Sequence, residues 1–338
     1  MKILHLIPSL TSGGAERQLG YLTRELERRG HEVRIAYLYP GPAPWQSEGL
    51  PAEPLVARRH RDPRLLAEIV RRIRAWRPDV LQTWYVESDI VGGVAAALTR
   101  TPWVLREPNT GRFYERRVKA PLRKAMARAL TAAVVANSEG GCAYWGNGAR
   151  LIRNAVPVGE IDRVAPAEPG GRPVVVYTGR LEAIKNVDVV IAAAAAANAS
   201  VIVCGAGPQR AALELLSGGR VRFMGHTREV WPVVKGADLF VSLSDFEGAP
   251  NSTLEAFAAR TPALLSDIPA HRALAGDHAA FFAPPRDVDA TAAAIRAALA
   301  DRDGAAARAR IARLRVESMT VEAMADGYEE VYEEAASR

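Results

Sequence analysis

Short runs rich in β-branched and aliphatic residues alternate along the chain with longer stretches whose apolar positions recur every three to four residues. That rhythm belongs to buried parallel strands joined by amphipathic helices. Strands are predicted near 2–7, 33–37, 80–83, 103–106 and 133–136, with helices over 16–29 and 64–76 between them. The second half repeats the pattern with strands near 174–177, 201–204, 221–223, 239–242 and 263–265. Residues 154–173 separate the halves and are rich in Pro and Gly with weak periodicity, as a linker would be. The expectation is an α/β chain of two doubly wound sheets. Its tail opens on Thr320, a plausible helix N-cap, and spaces Val321, Met324, Tyr328 and Val331 along one helical face.

Length supports the division, since 338 residues suit two domains that each bury a proper core. With 49% apolar and 24% charged residues the composition is that of an ordinary globular protein and excludes disorder. Charge is uneven: residues 1–160 hold 25 of the 44 Lys and Arg but 15 of the 38 Asp and Glu, so +10 falls there and −4 in the remainder. Arg112, Arg116, Arg117, Lys119, Arg123, Lys124 and Arg128 cluster on an expected helix with Phe113, Val118, Leu122 and Met126, and Arg58, Arg59, Arg61 and Arg64 form a second group. Such a face attracts an anionic membrane or acceptor, and equally suits a solvated helix. Nucleic acid is not expected, because no aromatic-interleaved basic motif, helix-turn-helix or zinc finger accompanies the charge. Cys142 and Cys204 lack any metal or redox spacing and read as reduced thiols. His5 and Pro8 interrupt the apolar start, so it reads as a strand and not a signal peptide, and Asp188, Asn198 and Ser200 break the apolar stretch 187–203.

One segment carries more chemistry than any other. Glu247-Gly-Ala-Pro-Asn-Ser-Thr-Leu-Glu255 sets two carboxylates eight residues apart, one in a loop and one expected in the first turn of a helix, beside amides able to hold a phosphate. Upstream, Gly179-Arg-Leu-Glu-Ala-Ile-Lys185 puts two cations just after a strand. Gly13 and Gly14 follow the first strand and precede a helix, where bare amides could approach an anion. Gly205 and Gly207, in Cys204-Gly-Ala-Gly-Pro208, suit either a phosphate or a tight strand-to-helix turn.

Preceded by Ser244-Asp-Phe246, the two-glutamate segment resembles the E-x7-E signature of retaining GT-B glycosyltransferases. Together with the G-R-L-x-x-x-K pattern and Asn154, the chain resembles glycosyltransferase family 4 over most of its length. The resemblance implies a GT-B fold: an acceptor-binding Rossmann-like domain over 1–158, a nucleotide-sugar-binding one over 159–315 facing it across a cleft, and a terminal helix within 316–338 packing back on the first. It implies transfer, with retention and without a metal or other cofactor, of a hexose-type sugar from a nucleoside diphosphate sugar to a hydroxyl of a glycan, lipid-linked or small-molecule acceptor.

On that resemblance Arg180 and Lys185 grip the diphosphate and Glu247 contacts the donor sugar. Glu255 takes the ribose hydroxyls, and Gly248, Pro250, Asn251 and the amides of Ser252, Thr253 and Leu254 border the phosphates. Gly13, Gly14, Gly179, Gly205 and Gly207 add backbone contacts, and His226 and Thr227 sit where relatives seat the base. Glu87 falls at or near a position where many relatives carry His, and Arg153-Asn-Ala155 replaces the common P-N-G. Glu87 keeps open a catalytically weak nucleotide-sugar-binding partner subunit, and a GT-B epimerase or phosphorylase is the other alternative. Asp301-Arg-Asp303 reads as a helix cap and not a metal site. Acceptor loops are expected at 39–50, 106–114 and 140–147, where Trp45, Tyr114, Tyr144 and Trp145 could stack on a sugar or lipid. The implied location is the cytoplasm, at or near the inner face of the plasma membrane.

Overall fold

The structure is a computed structural model. It describes residues 1–11, 13–39, 48–55, 62, 64–108, 119–146, 148–168, 170–171, 173–228 and 230–338. The chain forms two compact units, one made of Met1–Ala155 with Val321–Arg338 and the other of Val156–Thr320.

The first unit contains β1 (Lys2–Ile7), α1 (Gly14–Arg28), β2 (Glu32–Tyr37), β3 (Ala52–Pro54), α2 (Arg64–Trp76), β4 (Val80–Trp84), α3 (Tyr85–Thr99), β5 (Trp103–Glu107), α4 (Lys119–Leu130), β6 (Ala133–Ala136), α5 (Glu139–Trp145) and β7 (Ala149–Leu151). The second contains α6 (Val158–Arg163), β8 (Val174–Thr178), α7 (Val187–Ala196), β9 (Ser200–Cys204), α8 (Arg210–Ser217), β10 (Val221–Gly225), α9 (Val230–Gly236), β11 (Leu239–Ser242), α10 (Asn251–Ala258), β12 (Ala263–Ser266), α11 (Pro269–Ala275), β13 (Phe281–Ala283), α12 (Val288–Ala300) and α13 (Arg302–Val316). The last helix, α14 (Val321–Ala336), returns to the first unit.

Both sheets are parallel, in the orders β3-β2-β1-β4-β5-β6-β7 and β10-β9-β8-β11-β12-β13. Their central strands are apolar on both faces because helices cover both. In β1, Ile3 and Ile7 face the cluster built with Leu19, Leu22 and Leu26 of α1 and Tyr328, Val331 and Tyr332 of α14. Leu4 and Leu6 face Leu65, Ile69 and Ile73 of α2. In each sheet the strand order reverses once, between β1 and β4 and between β8 and β11, and ligands of open α/β sheets bind outside the carboxyl ends of the strands at such points.

The ten strands expected from the sequence are all present, and three more, β3, β7 and β13, lie at sheet edges. Each is three residues long, too short to show a period, as edge strands that avoid unwanted pairing tend to be. Within the stretch read as linker, α6 forms and buries Ile161 completely.

The basic cluster needs correcting. Arg58, Arg59, Arg61, Arg112, Phe113, Tyr114, Arg116, Arg117, Val118 and the side chain of Lys119 lie outside the described residues, as does Trp45. Arg123, however, is 1% exposed and no part of a basic surface. Its guanidinium donates to Asp89 Oδ2 and to Glu107 Oε2, both at 2.6 Å. Of the two arginines of α4, Arg128 stays exposed and Arg123 is buried, and the two carboxylates meet its charge. Trp145 Nε1 donates to the same Glu107 oxygen at 3.2 Å, and Tyr144 lies 4.3 Å under the Lys124 ammonium. Residues 139–145 are therefore a helix whose aromatics are engaged in packing, where an acceptor loop was expected.

The α14 helix is held to the first unit by a buried polar group. Arg106, 1% exposed at the end of β5, donates to Tyr328 Oη at 2.9 Å and to Asn154 Oδ1 at 2.7 Å, and stacks 4.3 Å from the Trp84 ring. Tyr332 donates to Gln82. At the surface Arg29 pairs with Asp326 at 2.6 Å.

Candidate active site

The reversal between β8 and β11 brings the chemistry of the second unit together. The loop after β8 carries Arg180 and, in a 3-10 turn over Ala183–Lys185, Lys185. The loop after β11 carries Ser244, Asp245 and Glu247. Lys185 Nζ lies 2.5 Å from Glu247 Oε1, with side chains 17% and 12% exposed, and Ser244 Oγ donates to the same oxygen at 2.5 Å. Burial pushes the Glu247 carboxyl up, but the Lys185 charge beside it, aided by hydrogen bonds from Lys185 and Ser244, holds it below the ordinary carboxylate value. The result is a fixed anion with a fixed cation against it.

Three residues to which the sequence reading gave no role complete this centre. Ser244 is one, and its i,i+3 spacing to Glu247 was the available signal. His271, fully buried in the first turn of α11, has Nδ1 3.0 Å from Ser266 Oγ, whose hydroxyl donates to Ser244 O at 2.6 Å. Burial holds the imidazole below its ordinary pKa against the opposing charge of Glu247, so it is neutral at pH 7. Tyr177, 1% exposed, donates to Arg180 O at 2.9 Å, and burial together with the nearby Glu247 charge raises its pKa. Arg180 is not drawn into the cluster. Its side chain is 62% exposed and pairs with Glu182 at 3.0 Å.

The helix after Glu247 starts earlier in the motif than expected. Pro250 is the N-cap and Asn251 the first helical residue, so Glu255, 5% exposed, belongs to the second turn and not the first. The amides of Thr253 and Leu254 donate to Pro250 O at 3.0 and 3.1 Å, which removes them as phosphate donors. Of the three amides proposed, Ser252's lies outside the helix ladder. Thr253 Oγ1 and His271 Nε2 are buried without a hydrogen-bond partner among the described residues. Gly248 and Pro250 shape the loop between Glu247 and the helix.

Gly179, Gly205 and Gly207 are needed by the backbone itself. A Cβ on Gly205 would fall 1.8 Å from Gly179 O, and one on Gly207 2.4 Å from Leu181 O. The two loops run so close that Gly179 N donates to Cys204 O at 3.0 Å and Leu181 N to Ala206 O at 2.9 Å, past the end of the β8–β9 pairing. His226 is exposed and Thr227 half-buried just after β10.

In the first unit, Gly13 is the N-cap of α1 and Gly14 its first residue. The Glu16 carboxylate folds against them, since a Cβ on Gly13 would meet Glu16 Oε2 at 2.1 Å. A carboxylate therefore already neighbours the helix end where a phosphate was expected. Glu87 lies half-buried in the first turn of α3, after Tyr85 with φ 72°. Burial of Tyr39, and to a lesser degree the Glu87 charge, raises the Tyr39 pKa. Asp301 Oδ1 accepts from Gly304 N at 2.9 Å and caps α13.

Residues 12–156 match the family model for Glycosyltransferase Family 4, and residues 159–315 match that for Glycosyl transferases group 1. The chain is a family 4 glycosyltransferase. No curated protein sequence matches this glycosyltransferase significantly. Among solved structures it is similar in fold to HepE of Anabaena in complex with UDP-glucose, at 20% identity over 100% of both chains with a TM-score of 0.84. The same protein bound to UDP and glucose gives a TM-score of 0.87 at 18% identity, covering 98% of this glycosyltransferase and 99% of HepE. Sucrose-phosphate synthase from Thermosynechococcus elongatus gives 0.78 at 20% identity over 100% of both chains. These likenesses support the GT-B fold. No described helix of the glycosyltransferase is long and apolar enough to cross a membrane.

Proposed function

We propose that this glycosyltransferase moves a hexose-type sugar from a nucleoside diphosphate sugar to an acceptor hydroxyl with retention and without a metal ion. The carrying observation is the Lys185–Glu247 pair, fixed at the carboxyl ends of β8 and β11 beside the start of α10. Lys185 stabilises the negative charge that grows on the leaving diphosphate, and Arg180, exposed on the same loop, adds to it. Glu247 orients the donor sugar through its hydroxyls and Glu255 the ribose. The acceptor hydroxyl attacks the anomeric carbon from the side the diphosphate leaves, and a phosphate oxygen takes its proton, so no side chain serves as a strong base. Acceptors are a glycan, a lipid-linked saccharide or a small molecule. The helices α3 and α4 expose Leu98, Leu122 and Leu130, and α4 also exposes Arg128, which supports peripheral contact with an anionic membrane at the cytoplasmic face.

Thermal-shift titration with UDP, GDP, ADP and CMP and their sugar conjugates, with and without EDTA, tests the reading. HepE was solved with UDP and UDP-glucose, which makes UDP the first probe. A shift with one nucleoside diphosphate that survives EDTA is expected. Binding that needs a divalent ion, or no binding at all, refutes the metal-free grip.

A further inference from the structure

We propose that Asp245 is a positioning residue that sets Lys185 in place through the side-chain amide of Asn186. The proposal rests on the reading of Lys185 as the cation of the donor site, and adds what holds it there.

Asn186 follows Lys185 directly and closes the 3-10 turn in the left-handed region, at φ 48° and ψ 44°. Of the residues other than glycine, Asn and Asp visit that region most readily, because their short polar side chains bond locally. Here the amide does so on both sides. Nδ2 donates to Leu243 O and to Asp245 Oδ1, each at 2.8 Å, and the residue is 5% exposed. In the opposite direction Asp245 N donates to Ile184 O at 2.8 Å. These bonds stitch the loop after β8 to the loop after β11 immediately before and after Lys185, whose ammonium reaches Glu247 on that second loop. A shift at Asn186 therefore moves the ammonium relative to its carboxylate.

The Asp245 carboxylate is itself oriented. Arg286 donates from Nε to Oδ1 at 3.0 Å and from Nη2 to Oδ2 at 2.5 Å. This fork, with lesser help from Asn186, holds the carboxyl below its ordinary value despite partial burial. It also offsets a negative charge that would otherwise stand near the place of a diphosphate. Arg286 is 73% exposed, so its contribution lies in fixing the geometry more than in free energy.

Asparagine at 245 keeps an acceptor for Asn186 but not the ionic fork, whereas alanine loses both. Asn186→Gly retains the left-handed backbone, which glycine favours, and loses only the amide. These three variants separate the roles.

The test needs no substrate. The chain has five lysines, Lys2, Lys119, Lys124, Lys185 and Lys235, so acetylation by an N-hydroxysuccinimide ester can be followed for each by peptide mass spectrometry. Lys185 is expected to react slowly in the wild type. In Asp245→Ala and Asn186→Gly its rate relative to Lys2 rises about fivefold or more, because a loosened ammonium is more exposed and less tied to Glu247. In Asp245→Asn the rate stays within about twofold of wild type. With the donor that the nucleotide screen identifies, Asp245→Ala lowers kcat about tenfold while donor KM changes less, and Asp245→Asn restores most of kcat.

An unchanged Lys185 rate in Asp245→Ala overturns the proposal, as does equal loss in the Asn and Ala variants. If Asp245→Ala fails to fold, Asn186→Gly decides alone. Wild-type turnover in Lys185→Met would instead overturn the functional reading and leave the acetylation pattern intact, so the two failures are distinguishable.

Discussion

Replacing Lys185 with Met and Glu247 with Gln, singly and together, separates what their contact does for the fold from what it does for transfer. Breaking a buried ion pair by removing one partner typically destabilises by about 3–5 kcal/mol, since the other charge is left unpaired. Here the side chains keep 17% and 12% exposure, so water reaches the orphan and the loss should be smaller, about 2–3 kcal/mol. The second unit spans Val156–Thr320, and for a domain of that size such a loss lowers Tm by about 5–10 °C. The double variant leaves no buried charge and should recover more than half of the stability. Turnover behaves otherwise. A cation aimed at the leaving diphosphate accounts for about 10²–10³ in kcat, so both variants lacking Lys185 stay slow however stable they are. Denaturant unfolding read alongside single-turnover transfer distinguishes the effects. Recovery of rate together with stability in the double variant would show that Lys185 serves only the fold. The acid limb gives a further check on sign. The Glu247 carboxyl lies below its ordinary value of 4.5, so the pair stabilises fully above that pH, and the stabilisation is lost as pH falls through the folded-state pKa.

Gly205→Ala forces a Cβ to within 1.8 Å of the Gly179 carbonyl and should destabilise by about 2–3 kcal/mol, whereas Gly218→Ala, left-handed but in open space, should lose about 1 kcal/mol; equal losses by denaturation would contradict the crossing described here. Arg123→Met strands Asp89 and Glu107 and should lose about 3–5 kcal/mol, against less than about 0.5 kcal/mol for exposed Arg128→Met. Burial, helped by the Glu107 charge and opposed by Arg123 and Thr83, raises the Asp89 carboxyl from 3.8 to about 6. A raised acid is a destabilising term above pH 6 that is relieved as pH falls towards 3.8, amounting to about 3 kcal/mol. Carboxyl ¹³C titration that finds Asp89 near 4 would refute this.

The central strands were legible because they are buried on both faces, and continuous apolar runs need no partner to be recognised. The edge strands β3, β7 and β13 were not, since three residues carry no period and their pairing is decided by neighbours far along the chain. The same limit explains Arg123. Its position in a basic helix is local information, while Asp89 and Glu107, which bury it, lie on α3 and β5. Lys185 and Glu247 were found by motif, and the structure adds that they touch. Glu255 was placed one turn early because the helix was expected to begin nearer to it, whereas Pro250 is the N-cap. Asp245 was read only as part of Ser244-Asp-Phe246, with no role of its own, and Asn186 not at all, since an amide that pins a left-handed turn is recognisable only once its acceptors are in place.

For Gly179, Gly205 and Gly207, binding a phosphate and shaping a turn are not competing explanations. These glycines let the loops after β8 and β9 run side by side beyond the sheet, with the Gly179 and Leu181 amides spent on Cys204 and Ala206. Those two amides are thus unavailable to a ligand, yet the crossing determines where the chain leaves β8 and hence where Arg180 and Lys185 begin. From the far end, Asn186 and Asp245 fix where the same loop enters α7. On the proposed function, a segment clamped at both ends by bonds within the protein holds its cation ready before a donor arrives, so little reorganisation remains when charge develops on the diphosphate. Glycine is required there because a side chain would part the loops, whether or not a phosphate ever meets the backbone.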